Sequence, residues 1–377
     1  MGRSSVRHIA YITGTRADYG LMRRTLLAIQ ADPCLRLTVI ATGMHLMPAF
    51  GNTIDTIRAD GFAPIVVDAV HAGNERKHQA AFLADFFHGL VPVLVHLSPD
   101  VVLVLGDRPE MLAAATAGAY LGIPVAHIQG GEISRTIDEM ARHAITKLSH
   151  LHFPATARSA ERISKLGERP DNIFITGAPG LDNVREDALP QTAVRAFVKD
   201  TAPYLLVLQH PVSDELQHTA EHMRSILATI ADTGYHAHVL YPNADPGHDD
   251  IIAALQQQKG VTVHRHMPRP LFLGMLRDAH ALVGNSSAGV IEAASFGTPV
   301  VNIGTRQYGR ERADNVIDSD YSEEALRTAL RTALSGEFRA LAREVANPYG
   351  DGTAATRIAQ ILATFPFDTL QMKQLTY

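Results

Sequence analysis

With one cysteine in 377 residues, the chain cannot form an internal disulfide, which fits a reducing compartment. Cys34 follows a proline and opens an apolar run, so it is expected to be a buried structural thiol. Basic excess is also lacking. The 34 Lys and Arg stand against 39 Asp and Glu, a formal net charge of −5, which argues against a nucleic-acid binder. A local basic pocket for a phosphorylated small molecule stays compatible with that balance. No apolar run reaches the roughly 18–20 residues of a membrane span. Met1–Val6 has no signal-peptide core and puts Val6 where a myristoylation signal carries Ser or Thr. The expectation is a soluble cytoplasmic protein with neither a nucleic-acid nor a membrane partner.

What is present is an ordinary globular balance, 46% hydrophobic and 19% charged, in a chain longer than one core usually supports. Short apolar runs alternate with amphipathic segments of helix length, the mark of a parallel sheet flanked by helices. Strands are expected at His8–Thr13, Leu37–Ala41, Ile65–Val67, Val101–Leu105, Pro124–Ile128 and Ile173–Thr176. Gly20–Ala31 reads as a helix with Leu21, Met22, Thr25, Leu26 and Ile29 on one face. The pattern weakens between Leu181 and Pro203. A second set follows at Tyr204–Gln209, His236–Tyr241, Val261–His264, Ala281–Val283 and Pro299–Ile303. The fold class is therefore α/β, two Rossmann-like domains, 1–188 and 189–377, with a cleft between them; the last helix can pack back on the first domain. Ligands of such sheets sit outside the carboxyl ends of the strands.

Residues just past those ends are the candidates. Gly14–Gly20 lacks the Gly-x-Gly-x-x-Gly spacing of a dinucleotide site. There Arg16 and Asp18 are either a helix-capping pair or a diphosphate contact beside a cap. Asp107 follows the wholly apolar run Val101–Leu105, where a catalytic acid or a helix N-cap is placed. The stretch His127–His143 brings Glu132, Asp138 and Glu139 to one glycine-flanked loop, its glycines suited to close approach of a ligand. Proton abstraction beside a sugar carbon, and protonation of the other face, both call for carboxylates tuned by their surroundings. His127, His143, His150 and His152 lie at no metal-ligand spacing, so no metal is expected. In the second half His210 ends a strand. Gly284–Glu292 offers Ser286, Ser287 and backbone N–H groups to phosphate, with Glu292 about two turns on as an acceptor for ribose hydroxyls. Arg306, Arg310 and Arg312 follow another strand and suit an anion.

Taken in order, Gly14–Gly20, Thr42–His45, Gly106–Arg108, Gly130–Glu132, Arg142–Lys147, Gly284–Ser287 and Gly304–Gln307 resemble the hydrolysing UDP-N-acetylglucosamine 2-epimerases of bacterial nonulosonic-acid synthesis. The likeness runs to about Asn347–Gly350, nearly the whole chain. It implies a two-domain GT-B-type fold, no redox cofactor, and release of UDP with formation of N-acetylmannosamine. The implied path is anti elimination to a 2-acetamidoglycal, then syn addition of water. By motif, Asp107, Glu132 and Asp138 are the acid/base candidates. Arg16, Asp18, His45, Gln129, Arg142, His143, His210, Ser286, Ser287, Glu292 and Arg306 are the nucleotide and substrate contacts. The resemblance also suggests a homo-oligomer, a dimer or a tetramer. One position departs: several members have Glu-Gly-Gly-Glu, with the first Glu catalytic, where this chain has Gln129. Either Glu132 or Asp138 takes over the proton work, or the substrate differs. A UDP- or GDP-linked 2,4-diacetamido-6-deoxy sugar of the legionaminic-acid route is the alternative. A GT-B glycosyltransferase, or a nucleotide-sugar sensor without turnover, is the rival class.

Overall fold

The computed structural model describes residues 6–48, 52–70, 76–133, 137–199, 202–212, 215–242, 247–258, 260–265, 267–367 and 373; the side chains of Arg76, Ile137 and Asp138 lie outside this description. The chain divides into two units, Met1–Asp182 with Tyr349–Tyr377, and Asn183–Pro348.

The first unit is a six-stranded parallel sheet of β1 (Arg7–Thr13), β2 (Leu35–Ala41), β3 (Ile65–Val66), β4 (Val101–Leu105), β5 (Val125–Ile128) and β6 (Leu151–Phe153), ordered β3-β2-β1-β4-β5-β6. Strand alternation explains the continuous apolar runs. Ile9, Tyr11, Val101, Leu103 and Leu105 enter the core on one face, with Met22, Leu26 and Ile29 of helix Arg16–Ala31. Ala10, Ile12, Val102 and Val104 enter the core on the other. A strand covered on both faces has no polar side to show.

The second unit repeats the plan with β7 (Tyr204–Leu208), β8 (His236–Leu240), β9 (Val261–His264), β10 (Ala281–Gly284), β11 (Val300–Ile303) and β12 (Val316–Ser319), ordered β12-β11-β10-β7-β8-β9. Leu205 and Val207 face one core, Tyr204, Leu206 and Leu208 the other.

Several expectations are corrected. The break falls after Asp182, not at Ala188, because Val184 and Ala188 pack with Leu273 of the second unit. Residues 349–377 belong to the first unit. Ile358 and Leu362 of helix Ala354–Thr364 join the core that holds Met22 and Leu26. The Asp182 carboxylate accepts the N–H groups of Ala354 and Ala355 at that helix's start, a cap supplied from far back in the sequence. Ile173–Thr176 is no strand: it touches β6 by a single bridge, His152 to Ile173, and leaves Ile175 exposed. The edge strand β12 escaped notice because Asp318 interrupts its short apolar run. Cys34 is exposed rather than buried; it sits in the turn before β2, its N–H bonded to Asp32 Oδ1 at 2.8 Å. Helix Lys77–Leu97 is, by length and composition, apolar enough to cross a membrane, contrary to the reading of short runs. Its stripe Phe82, Phe86, Leu90 and Leu94 is buried in the core of the first unit.

Candidate functional site

Three carboxyl ends in the first unit, those of β1, β4 and β5, carry most of the candidates. After β1, Thr15 caps helix Arg16–Ala31 by accepting the Asp18 N–H at 3.1 Å, and Asp18 accepts the N–H groups of Gly14 at 3.1 Å and Thr15 at 2.9 Å. This reciprocal box fixes the turn. Asp18 is thus consumed as a buried cap; burial, then the charge of Glu110, raises its pKa to about 6. Arg16 stands exposed at the first helical position. His45 is buried between the hydroxyls of Thr13 at 2.9 Å and Thr53 at 2.8 Å. Burial takes its pKa down to about 4, against the opposing pull of Glu110, so the ring is neutral at pH 7.

After β4, Gly106 turns the chain with φ +72° and presents Asp107. Asp107 is not a helix cap: the N-cap of Pro109–Leu121 is Arg108. Its carboxylate pairs with the Arg142 guanidinium, which is buried and whose Nη1 also donates to the Glu132 carbonyl at 2.8 Å. One arginine thereby gathers Asp107 and the Gly-Gly-Glu loop. In that loop Glu132 is buried. Gln129, half-buried, adopts φ +58°, a left-handed conformation costing a non-glycine residue of order 1 kcal/mol. The fold itself requires the glycines. A Cβ on Gly131 would stand 2.3 Å from the Ser159 carbonyl oxygen, and one on Gly130 2.9 Å from His127 Nδ1. His127 itself is fully buried, bonded to the Gly106 carbonyl at 2.7 Å, with its pKa pushed by burial to about 3.

Asp138 starts helix Ile137–Leu148, but its side chain falls outside the described residues. His143, exposed on the same helix, lies 3.9 Å from Glu139 and takes no part in the Asp107–Arg142 pair. Sequence reading missed Glu110. Fully buried, it accepts from Arg108 Nε at 2.5 Å, and its carboxylate lies where a Cβ on Gly14 would come within 2.1 Å. Its place three residues after Asp107, just past the Gly106–Arg108 motif, was the available signal.

The second unit gathers its candidates around Asn285, fully buried and also unforeseen. Asn285 Oδ1 accepts the His210 N–H at 2.7 Å and its Nδ2 donates to the His210 carbonyl at 2.8 Å. Its own carbonyl accepts from Arg306 Nη1 at 3.1 Å and Gln307 Nε2 at 2.8 Å. The loops after β7, β10 and β11 are therefore tied through one residue, its side-chain amide reaching the first and its backbone carbonyl the last. Gly284, at φ +131°, is required because a Cβ would meet the Leu208 carbonyl oxygen at 2.2 Å. His210 is buried; burial, then the Arg306 charge, pushes its pKa to about 3. Ser286 is the N-cap and Ser287 the first residue of the short helix Ser287–Ile291. Glu292 sits where that helix gives way to Ala293–Phe296, and accepts from Arg269 Nη1 at 2.8 Å. Arg312 is bound to Asp318 and to the Gln307 carbonyl, and Arg310 to Gln307 Oε1 at 3.2 Å, so these two brace the loop. Among the described residues no cluster of three or more His, Cys, Asp or Glu is arranged for a metal.

Comparison with known proteins adds four findings. The family model described as UDP-N-acetylglucosamine 2-epimerase matches residues 27–363. The UDP-N,N'-diacetylbacillosamine 2-epimerase (hydrolyzing) of Legionella pneumophila is 41% identical, over 96% of this chain and 97% of that protein. The UDP-N-acetylglucosamine 2-epimerase of Neisseria meningitidis serogroup B is 31% identical, over 95% of each. Among solved structures, a UDP-GlcNAc 2-epimerase from Neisseria meningitidis bound to UDP-GlcNAc has a TM-score of 0.80 at 20% identity, covering 94% of this chain and 99% of that one. With its two parallel six-stranded sheets and this likeness in fold, the chain is of the GT-B-like α/β class.

Proposed function

Since the chain belongs to the UDP-N-acetylglucosamine 2-epimerase family, we propose that it hydrolyses a UDP-linked 2-acetamido sugar with inversion at C2, and that the sugar is a 2,4-diacetamido-6-deoxy hexose. The observation that carries the sugar assignment is the 41% identity to a protein named for UDP-N,N'-diacetylbacillosamine, against 31% to one named for UDP-N-acetylglucosamine. Gln129 supports it: an amide donates and accepts hydrogen bonds but abstracts no proton, which suits recognition of a second acetamido group. UDP-N-acetylglucosamine as substrate, yielding N-acetylmannosamine, is the second reading.

In the first half-reaction a base takes the C2 proton as the C1–O bond breaks, UDP leaving with the electron pair to give the 2-acetamidoglycal. In the second, water adds at C1 and a proton is delivered to C2, leaving the manno configuration. Asp107, Glu132 and Asp138 are the carboxylates for these transfers. Arg142 orients Asp107 and fixes the loop that carries Glu132. On the nucleotide side Ser286 and Ser287, with Arg306, meet the diphosphate, and Glu292 the ribose; Arg16 exposes a further guanidinium for phosphate. His210 is held neutral at working pH and hydrogen-bonds without adding charge. The product would feed legionaminic-type nonulosonic acid synthesis in the cytoplasm, the enzyme acting as a homo-oligomer.

Incubation with UDP- and GDP-linked mono- and diacetamido sugars in deuterated water, without an acceptor, tests the reading. Nucleotide release with deuterium at an inverted C2 is expected, fastest for the UDP-diacetamido sugar. Nucleotide release only on adding an acceptor would mark a glycosyltransferase, and binding without turnover a sensor.

A further inference from the structure

Arg269 opens helix Arg269–Asp278, which follows β9, and Glu292 lies in the segment that follows β10. The two are 23 positions apart, yet the guanidinium Nη1 reaches Glu292 Oε1 at 2.8 Å. The carboxylate is mostly buried, its side chain 12% exposed, while that of Arg269 is 38% exposed. Glu292 Oε2 accepts no hydrogen bond from any described residue, and it is not among the atoms sealed from solvent without a partner. The carboxylate is thus pinned by one oxygen and presents the other. Its backbone is held as well, by its N–H to the Ala288 carbonyl at 3.0 Å.

A pinned carboxylate with one open oxygen is an oriented acceptor for a hydroxyl donor. A ribose diol offers two hydroxyl donors to such an acceptor; a 2'-deoxyribose offers one. We propose that Arg269 is a positioning residue that aims Glu292 at the ribose 2'-hydroxyl and so makes the nucleotide site select ribonucleotides over 2'-deoxyribonucleotides. The proposal rests on the reading of the second unit as the nucleotide-binding part. Arg269 acts through Glu292, since a charge-assisted bond from hydroxyl to carboxylate depends on where the oxygen is held.

The test is calorimetric titration of the full-length protein with UDP and with 2'-deoxy-UDP, for the wild type, Arg269→Ala, Arg269→Lys, Glu292→Gln and the double variant Arg269→Ala/Glu292→Gln. Wild type should prefer UDP by about 10- to 100-fold, the worth of one hydrogen bond to a charged group. Arg269→Ala should bring the two affinities within about threefold of each other, Arg269→Lys should recover part of the preference, and the double variant should discriminate no less than Glu292→Gln alone. A loosened helix start would weaken both nucleotides equally and leave the ratio unchanged. An unchanged ratio in Arg269→Ala, or no preference in the wild type, overturns the proposal while the nucleotide reading stands on UDP binding. Failure of the wild type to bind either nucleotide overturns both.

Discussion

Arg142 holds the Asp107 carboxylate with one guanidinium nitrogen and the Glu132 carbonyl with another. A planar fork does this where an ammonium cannot, because its donors diverge at fixed angles. Arg142→Lys should therefore behave nearly as badly as Arg142→Ala. Both should lower kcat by about 10²–10⁴, the range for a displaced general acid or base, with a smaller change in KM. Asp107→Asn should fall in the same range and should not be additive with Arg142→Ala. A Lys variant within about threefold of wild type would show that charge alone suffices there.

Gly131 should be the least replaceable residue of its loop. A methyl group there meets the Ser159 carbonyl at 2.3 Å, and the backbone sits at φ +76°. Gly131→Ala combines a clash with backbone against left-handed strain, together about 2–4 kcal/mol. Urea unfolding of the variant should show that loss; a change under about 0.5 kcal/mol would mean that helix Ala157–Lys165 yields.

The central strands were legible because they are buried on both faces, so their apolar runs needed no periodicity to be seen, and Val101–Leu105 matches to the residue. The edge strand Val261–His264, with Thr262 exposed, matches as well through its alternating valines. What stayed hidden was long-range. Nothing local says that Asp182 caps a helix beginning at Ala354, or that Asn285 ties His210 to Arg306. Asp107 and the Gly-Gly-Glu loop, both named from the sequence, are joined by Arg142. Packing around the loop's glycines was not legible, since the atoms crowding them come from residues distant in sequence such as Ser159. Glu110 went unremarked because a carboxylate at full burial contradicts its usual address, and only the fold reveals Arg108 beside it.

Glu168 should control the acid stability of the first unit. Burial opposes its ionisation, but His152 at 3.1 Å, Lys147 at 2.7 Å and Lys373 at 2.6 Å outweigh that and bring its pKa down to about 2. A folded pKa below the unfolded one stabilises above the ordinary glutamate range, and that gain is lost as pH falls through the folded value. Glu168→Gln should cost on the order of 3 kcal/mol at pH 7 and progressively less between about pH 5 and pH 2. Denaturation series at several pH values would reveal it; a pH-independent difference would assign the loss to packing instead.

Arg306 should matter for UDP and not through its neighbour's titration. Its guanidinium is anchored on the Asn285 carbonyl by Nη1, and His210 stays neutral with a pKa near 3. Arg306→Ala should weaken UDP about 10- to 100-fold by calorimetry. Wild-type affinity between pH 5.5 and 8 should follow the phosphate's own ionisation, without an added step from His210. Unchanged affinity in Arg306→Ala would leave the arginine a loop brace like Arg312.

Gln129 decides between the two sugars. Its backbone is held at φ +58°, with its N–H on the Phe153 carbonyl at 2.9 Å. The side chain therefore departs from a fixed base, and strain of order 1 kcal/mol is tolerated at this position. Gln129→Glu keeps volume and backbone while changing an amide into a carboxylate that can accept but not donate at neutral pH. If the amide donates to the oxygen of a C4 acetamido group, the variant leaves that oxygen facing a carboxylate, and repulsion adds to the lost bond. Activity on the diacetamido substrate should then fall about 10- to 100-fold further than activity on UDP-N-acetylglucosamine, measured as the ratio of kcat/KM values. A gain on UDP-N-acetylglucosamine alone would instead identify position 129 as the seat of the base that Gln replaces. Equal losses on both sugars would remove any part in specificity, and Gln129 would then only order the loop whose glycines pack against His127 and Ser159.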